Sequence, residues 1–474
     1  MKATFFSVKH PTLVFGVALA FFVLNSGTVF GQLTPSLISY RQKPSYIELV
    51  FSGNCHTISV YPNGALSYYE YHTYTNPSHH YGKFVYNNNA SVVKTFNLPE
   101  GVYVTDFRQY MGTDFIAFCG YRVQVHDPNG LCWSDEIGVI GWFNINNTMN
   151  YSTIDVYYVD VPEVCRFTKV EPYYNEPNVS IVAIAMMYGE PYRNAIFYLD
   201  RVQFDVNATY NCNLYPVRYK DYLGDIVVSK QFVTFVGVEN VAERLFIRRE
   251  YLNQMSTPNE LNNIYAFPFA DDMGFQDVHA VYMGNKLIRT DDKIAINAVN
   301  AFDPNDTRSR YRFIDVSTLT MTGAQEFKMY DKIGVNGIAY IHNPKLLCAQ
   351  TTADPVTAGQ YSAVVLINPS ATTSYYADYI FHSDYGYESI DCLNYDGFNC
   401  EHFLLGGPFS WFLKKASHPT SFNGCNETER INVDILQPVQ YEIEQDPLNN
   451  SMQKTCTKEP ADVYSQSPNQ ECYD

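Results

Sequence analysis

Charge is scarce in this chain. Only 17% of its 474 residues are Asp, Glu, Lys or Arg, and the 32 basic residues are outnumbered by 49 acids, for a formal net charge of −17. A surface of that sign repels phosphate backbones and anionic headgroups, so no nucleic-acid partner is expected. Sustained helical periodicity is missing, which excludes a helical bundle or solenoid. Beyond the first 31 residues no apolar run is long enough to cross a bilayer as a helix, so no membrane span is expected. Compact catalytic signatures are absent too. There is no G-x-S-x-G, P-loop or H-E-x-x-H, and no C-x-x-C for zinc or redox work. No cofactor and no metal site are expected.

Aromatics, by contrast, are abundant: 16% of the chain, with 40 tyrosines and 31 phenylalanines. Such rings pack well on pleated sheets. A tyrosine also stacks on sugars or peptides while its hydroxyl bonds them. Strand packing alone would account for most of the excess.

Residues 1–31 read as an export signal. Lys2 and Lys9 precede the apolar core Leu13–Leu24, and Ser26, Gly27 and Gly31 lead to a cleavage point before Gln32. Its removal takes away two lysines and no acid, so −17 becomes −19. The expected location is secreted or extracytoplasmic, in the periplasm or at the cell surface.

The stretch Val104–Gly120 (VTDFRQYMGTDFIAFCG) sets the pattern for the rest. It reads as strand, turn and a strand apolar on both sides, the mark of burial on two faces. Ile137–Ile145 (IGVIGWFNI) is a further such strand, with glycines where a neighbouring backbone or ring must come close. The order recurs with starts at Asp106, near Cys165, and at Asp225, Asp277, Asn336 and Asp391, a mean spacing of about 57 residues. Repeats of that size built only of short strands predict an all-β fold, a β-propeller, in which small sheets gain stability by stacking on their neighbours. Six blades are expected over residues 101–416, or seven if residues 32–100 form one. A pair of β-sandwiches is the competing architecture.

In residues 32–100, Tyr46–Phe51 (YIELVF), His56–Tyr61 and Val92–Leu98 read as strands, and Tyr68–Asn89 as a polar aromatic loop. Residues 417–474 form a polar, cysteine-containing tail. Ile431–Glu442 is a possible closing strand there, which Pro438 would confine to an edge.

The motifs VTDF…FIAFCG, IGVIGWF, GDIVVS…FVTFVG, LFIR and FIDVSTLTMTGAQEF resemble a group of uncharacterised secreted proteins of Bacteroides-type bacteria. The resemblance spans roughly residues 100–410. It implies a propeller-like fold and carries no activity.

Asp106, Asp225, Asp277 and Asp391 recur near the start of the innermost strand of their units. They could ring a channel mouth and bind a cation or polar ligand. Equally, each could satisfy nearby backbone N–H groups, and repetition in every unit favours that structural reading. His279 neighbours one of these marks and is a candidate base or ligand-binding group. His79-His80 sit in the tyrosine-rich stretch, and Asp303, Asn305 and Asp306 lack the spacing of a calcium loop. The eleven cysteines are odd in number. Cys392 and Cys400, flanking a turn-rich loop, are the best local disulfide pair, and Cys119 is expected as a small core residue. These features point to an exported protein that binds a protein partner or a glycan on a loop-bearing face. The alternative is a glycan hydrolase or lyase with carboxylates at the central channel.

Overall fold

The structure is a computed structural model. It describes the strands named below, between Thr57 and Pro460, with the short segments that flank them. Residues 1–56, 461–474 and the remaining connections lie outside that description, and with them the Tyr46–Phe51 strand and the Asp303–Asp306 turn.

The described chain is all-β. Its strands fall into consecutive antiparallel meanders, numbered here as sheets I to VII. Sheet I holds Thr57–Val60, Gly64–Thr73, His79–Asn88 and Val93–Asn97; sheet II holds Val102–Gln109, Phe115–Gln124, Asp135–Asn144 and Tyr157–Val161. Sheet III follows with Val164–Asn175, Asn178–Met187, Arg193–Val202 and Thr209–Pro216. Sheet IV has Asp221–Val228, Phe232–Glu239, Arg244–Tyr251 and Ile264–Pro268. Sheet V has Phe275–Tyr282, Lys293–Asn300, Arg308–Asp315 and Thr320–Lys328, and sheet VI has Ile333–Ile341, Leu346–Ala353, Tyr361–Ile367 and Tyr375–His382. Sheet VII has three strands: Ser389–Asn394, Cys400–Gly406 and Trp411–Lys415.

The first strand of each sheet contacts the first strand of the next, from I through VII, and that of VII returns to contact that of I. The cores lie between consecutive sheets. Ile116, Phe118, Val139 and Phe143 of sheet II pack against Phe84 and Phe96 of sheet I. The alternating residues Ala117, Cys119 and Trp142 pack against Phe167, Ala183 and Phe197 of sheet III. Period-two alternation with both sets apolar therefore buries both faces of one sheet. Similar cores join III to IV, IV to V, and V to VI. Each fully buried large side chain contributes roughly 1.5–3 kcal/mol. The glycines of Asp135–Asn144 are close approaches, as expected. A Cβ on Gly141 would lie 2.0 Å from the Phe118 ring, and one on Gly138 would lie 2.6 Å from Val164 of sheet III.

Two expectations change. Tyr68–Asn89 is not a loop: it spans most of a hairpin, because Tyr68, Phe84 and Tyr86 alternate inward and are buried. The units from II to VI are four-stranded, their fourth strands lying between those the pattern marked, and residues 57–97 make a further four-stranded sheet, the alternative left open for residues 32–100. Finally, Thr428–Leu436 is not an edge strand. It lies between the outermost strands of V and VI and joins them into one nine-stranded sheet. It ends at Leu436, two residues short of Pro438. The tail then adds Tyr441–Gln445 to the outer edge of IV, Met452–Thr457 to III and Glu459–Pro460 to II.

Cys119 is fully buried in the core. Cys392 and Cys400 lie on adjacent strands, Cys392 opposite Phe403 and Cys400 opposite Asn394; their side chains are outside the described residues. No helix among the described residues is long and apolar enough to cross a membrane.

Candidate functional site

The first strands share a local irregularity. Register slips by one residue at Thr105 in sheet II, Thr168 in III, Gly224 in IV, Asp277-Val278 in V and Asn336 in VI. Such a bulge turns the strand and re-aims the side chain that follows it. In sheets II and IV that side chain is an aspartate. Asp106 Oδ2 accepts the N–H of Val170 in sheet III at 3.0 Å. Asp225 Oδ2 accepts the N–H of Ala280 in sheet V at 2.9 Å, while its Oδ1 accepts the N–H of Ile226 at 2.9 Å. Each carboxylate thus fastens its sheet to the next. The Thr105 hydroxyl adds a bond to Phe167 O of sheet III at 2.6 Å.

The recurrence of acids is looser than the sequence implied. After the slip, sheet III carries Lys169 and sheet VI carries Gly337. Asp277 lies within the irregularity itself, with its side chain outside the described residues. His279 is half-buried in the same strand, opposite Asn297.

Three of the four acids do converge. Arg108 lies two residues beyond Asp106, and its guanidinium sits 3.5 Å from that carboxylate. Burial opposes the Arg108 charge, but Asp106, Asp225, Glu171 and Asp391 together outweigh it and raise its pKa. Burial pushes the Glu171 carboxyl upward, against the pull of Arg289, Arg108 and Lys286.

Residues 283–292, between the first two strands of sheet V, complete the cluster. Lys286 Nζ lies 3.2 Å from Asp391 of sheet VII, and Arg289 lies 3.0 Å from Glu171 of sheet III. Leu287 lies beside Gly112 of sheet II. At its far end Asp292 Oδ1 accepts the Ser229 hydroxyl at 2.7 Å and the Gln231 N–H at 2.9 Å, both of sheet IV. Within the loop, Asn285 Oδ1 accepts the Leu287 N–H at 2.8 Å, and Asn285 O accepts the Arg289 N–H at 2.8 Å. Arg289 takes a left-handed backbone, φ 37°. One loop therefore touches sheets II, III, IV and VII across the place where the first strands meet.

Arg108, Glu171, Lys286 and Arg289 were not singled out from the sequence. A signal existed for the last two. The turn holding them runs ten residues, whereas its counterpart in sheet III, between Asn175 and Asn178, runs two.

Beside this cluster, within the influence of Arg289, lies a pair of tyrosines. The Tyr110 and Tyr174 rings stack with centroids 6.3 Å apart, and Tyr174 is 49% exposed. Burial raises the Tyr110 pKa and Arg289 moderates it, so the phenol stays neutral. Phe204, Tyr251, Ile288 and Tyr376 are also exposed. Like Tyr174 they sit at the end of the sheets where the first and third strands finish. Only Tyr188 and Tyr222, among the described large exposed apolar side chains, lie at the other end.

Among the described residues, no group of three or more His, Cys, Asp or Glu could hold a metal ion. No family model matches the chain, and no curated protein matches it in sequence.

Proposed function

We propose that the chain is an exported binding protein, a seven-bladed β-propeller that recognises a protein partner or a glycan on the face bearing the first-strand turns. Seven blades, the alternative that residues 32–100 left open, are favoured over six: residues 57–97 supply a sheet of the same kind, and the first strands contact one another in a closed order. The observation that carries the functional reading is the division of labour around the axis. Below, the carboxylates of Asp106 and Asp225 are committed to backbone N–H groups, and Glu171 and Asp391 to the cations of the covering loop. Above, most of the exposed aromatic and apolar side chains gather on one face. Rings beside a guanidinium suit a partner that stacks and accepts hydrogen bonds, as sugars and peptides do. A general acid or base would instead need a carboxyl open to substrate.

The test is a glycan and peptide array probed with the purified mature chain, with polysaccharide cleavage followed in parallel. Binding without turnover is expected, weakened about two- to tenfold by Tyr174→Ala, since an aromatic contact is worth about 0.5–1.5 kcal/mol beyond the area it buries. Cleavage that disappears in Glu171→Gln or Asp391→Asn would replace this reading with the hydrolase or lyase alternative.

A further inference from the structure

The seam between sheets II and III carries a row of rings at the end where the first and third strands finish. Tyr110 follows the first strand of II, and its N–H donates to Phe115 O at 3.0 Å, which sets the two residues opposite each other. Across the seam Tyr110 stacks on Tyr174, and Phe115 meets Phe204 edge to face with centroids 5.9 Å apart. Tyr157 meets Phe204 in the same way at 5.7 Å. The backbone under Phe204 is tied down. Gln203 O accepts the Trp142 Nε1–H at 3.1 Å and the Tyr210 hydroxyl at 2.9 Å, and Phe204 O accepts the Tyr157 hydroxyl at 3.2 Å. Rings held this way lose little freedom when a ligand covers them.

Two of these rings are half-open: Tyr174 is 49% exposed and Phe204 45%. Tyr110 covers one face of Tyr174, so the open area of that ring is its other face. Register sets their spacing. Tyr174 and Val202 both align with Val179, so they lie in one row two strands apart, and Phe204 follows Val202 on the side facing sheet II. Two strand spacings come to about 10 Å. A single sugar ring, no larger than the ring it stacks on, covers one of these platforms and not both. Ring–ring contacts fill the clefts, which closes the slots a proline-rich helix would enter. The cations nearby are already paired, Arg289 with Glu171, and Arg201, three residues before Phe204, with Asp200. Among the described residues the Tyr110 and Tyr174 hydroxyls have no hydrogen-bond partner, which leaves them to bond a ligand.

Resting on the reading of the chain as a binding protein, we propose that this strip is a glycan site. Its ligand is a neutral, linear oligosaccharide long enough to reach from Tyr174 to Phe204. Sugar C–H faces stack on the two open rings, and sugar hydroxyls bond the phenols of Tyr110 and Tyr174. An acidic glycan is opposed by the net charge of −17 and meets cations that are already neutralised.

Isothermal titration of the intact mature chain tests this, with cellohexaose, xylohexaose, mannohexaose and laminarihexaose as probes. The parent monosaccharides, an oligogalacturonate and a polyproline peptide are run alongside. At least one hexasaccharide is expected to bind, and its monosaccharide to bind about tenfold more weakly, since it reaches one ring and not both. Tyr174→Ala and Phe204→Ala should each weaken hexasaccharide binding about two- to tenfold. Tyr222→Ala, exposed at the opposite end of the sheets, should leave it unchanged. Tyr174→Leu and Phe204→Leu keep apolar volume but lose the ring face; they are the second pair should alanine loosen the seam, and the same weakening is expected. Hexasaccharide binding that the ring variants leave unchanged puts the glycan elsewhere and overturns the site, while the binding reading stands. Tighter binding of the oligogalacturonate, or binding of the polyproline peptide alone, overturns the ligand class and again leaves that reading intact. Silence with every probe overturns the site; a blank glycan and peptide array, or cleavage, removes the underlying reading as well.

Discussion

Asp225 satisfies two backbone N–H groups, one in its own strand and one in the next sheet. Asp225→Ala leaves both donors buried without acceptors, at about 1–3 kcal/mol each. Urea denaturation should report that loss, with Asp225→Asn losing less because an amide oxygen still accepts. An unchanged midpoint in Asp225→Ala would contradict the fastening role. Glu171 gives a pH signature. Its folded-state pKa lies above the ordinary 4.5 because burial disfavours the anion. The folded protein therefore holds that proton more tightly than the unfolded chain does. This group's contribution to stability falls as pH rises from about 4.5 through the folded value, then stays level. In thermal melts across that range, Glu171→Gln should show a shallower fall with pH than the wild type. The acids were visible in the sequence as spaced aspartates, but their partners were not. A backbone N–H has no letter of its own, and Lys286 and Arg289 reach carboxylates of sheets VII and III that are more than a hundred residues away in the chain.

The strands that sequence alone revealed are those buried on both faces, such as Phe232–Glu239, where all but the last residue is buried. The fourth strands escaped notice because they sit further from the core and mix exposed with buried positions, as Thr209–Pro216 does. The tail was the least legible element. Its strands are polar, and what fixes them is the outer edge of each sheet rather than a pattern of their own. Among its described residues, the apolar pair Ile431 and Val433 anchors it in the core between sheets V and VI. Removing residues 425–474 uncovers the outer strands of II to VI. The truncated chain is expected to self-associate, visible as higher-mass species in light scattering. A truncated chain that stays monomeric with an unchanged melting temperature would show that the tail is not an edge cover.

At the scale of the whole molecule, neighbouring sheets from I to VI share cores, so none of these stands alone. That accounts for the loose sequence match between repeats: each face is fitted to a different neighbour, and only the strand order has to persist. The charges gathered where the first strands meet neutralise one another beneath a single loop, and the aromatic face lies beyond it. The central claim is that this succession closes, the last sheet lying against the first. A spin label at Ser59 measures it directly by NMR. The account predicts paramagnetic broadening of the amides of residues 389–394, which the contact between Thr57–Val60 and Ser389–Asn394 brings close; unbroadened amides there would contradict the closed ring.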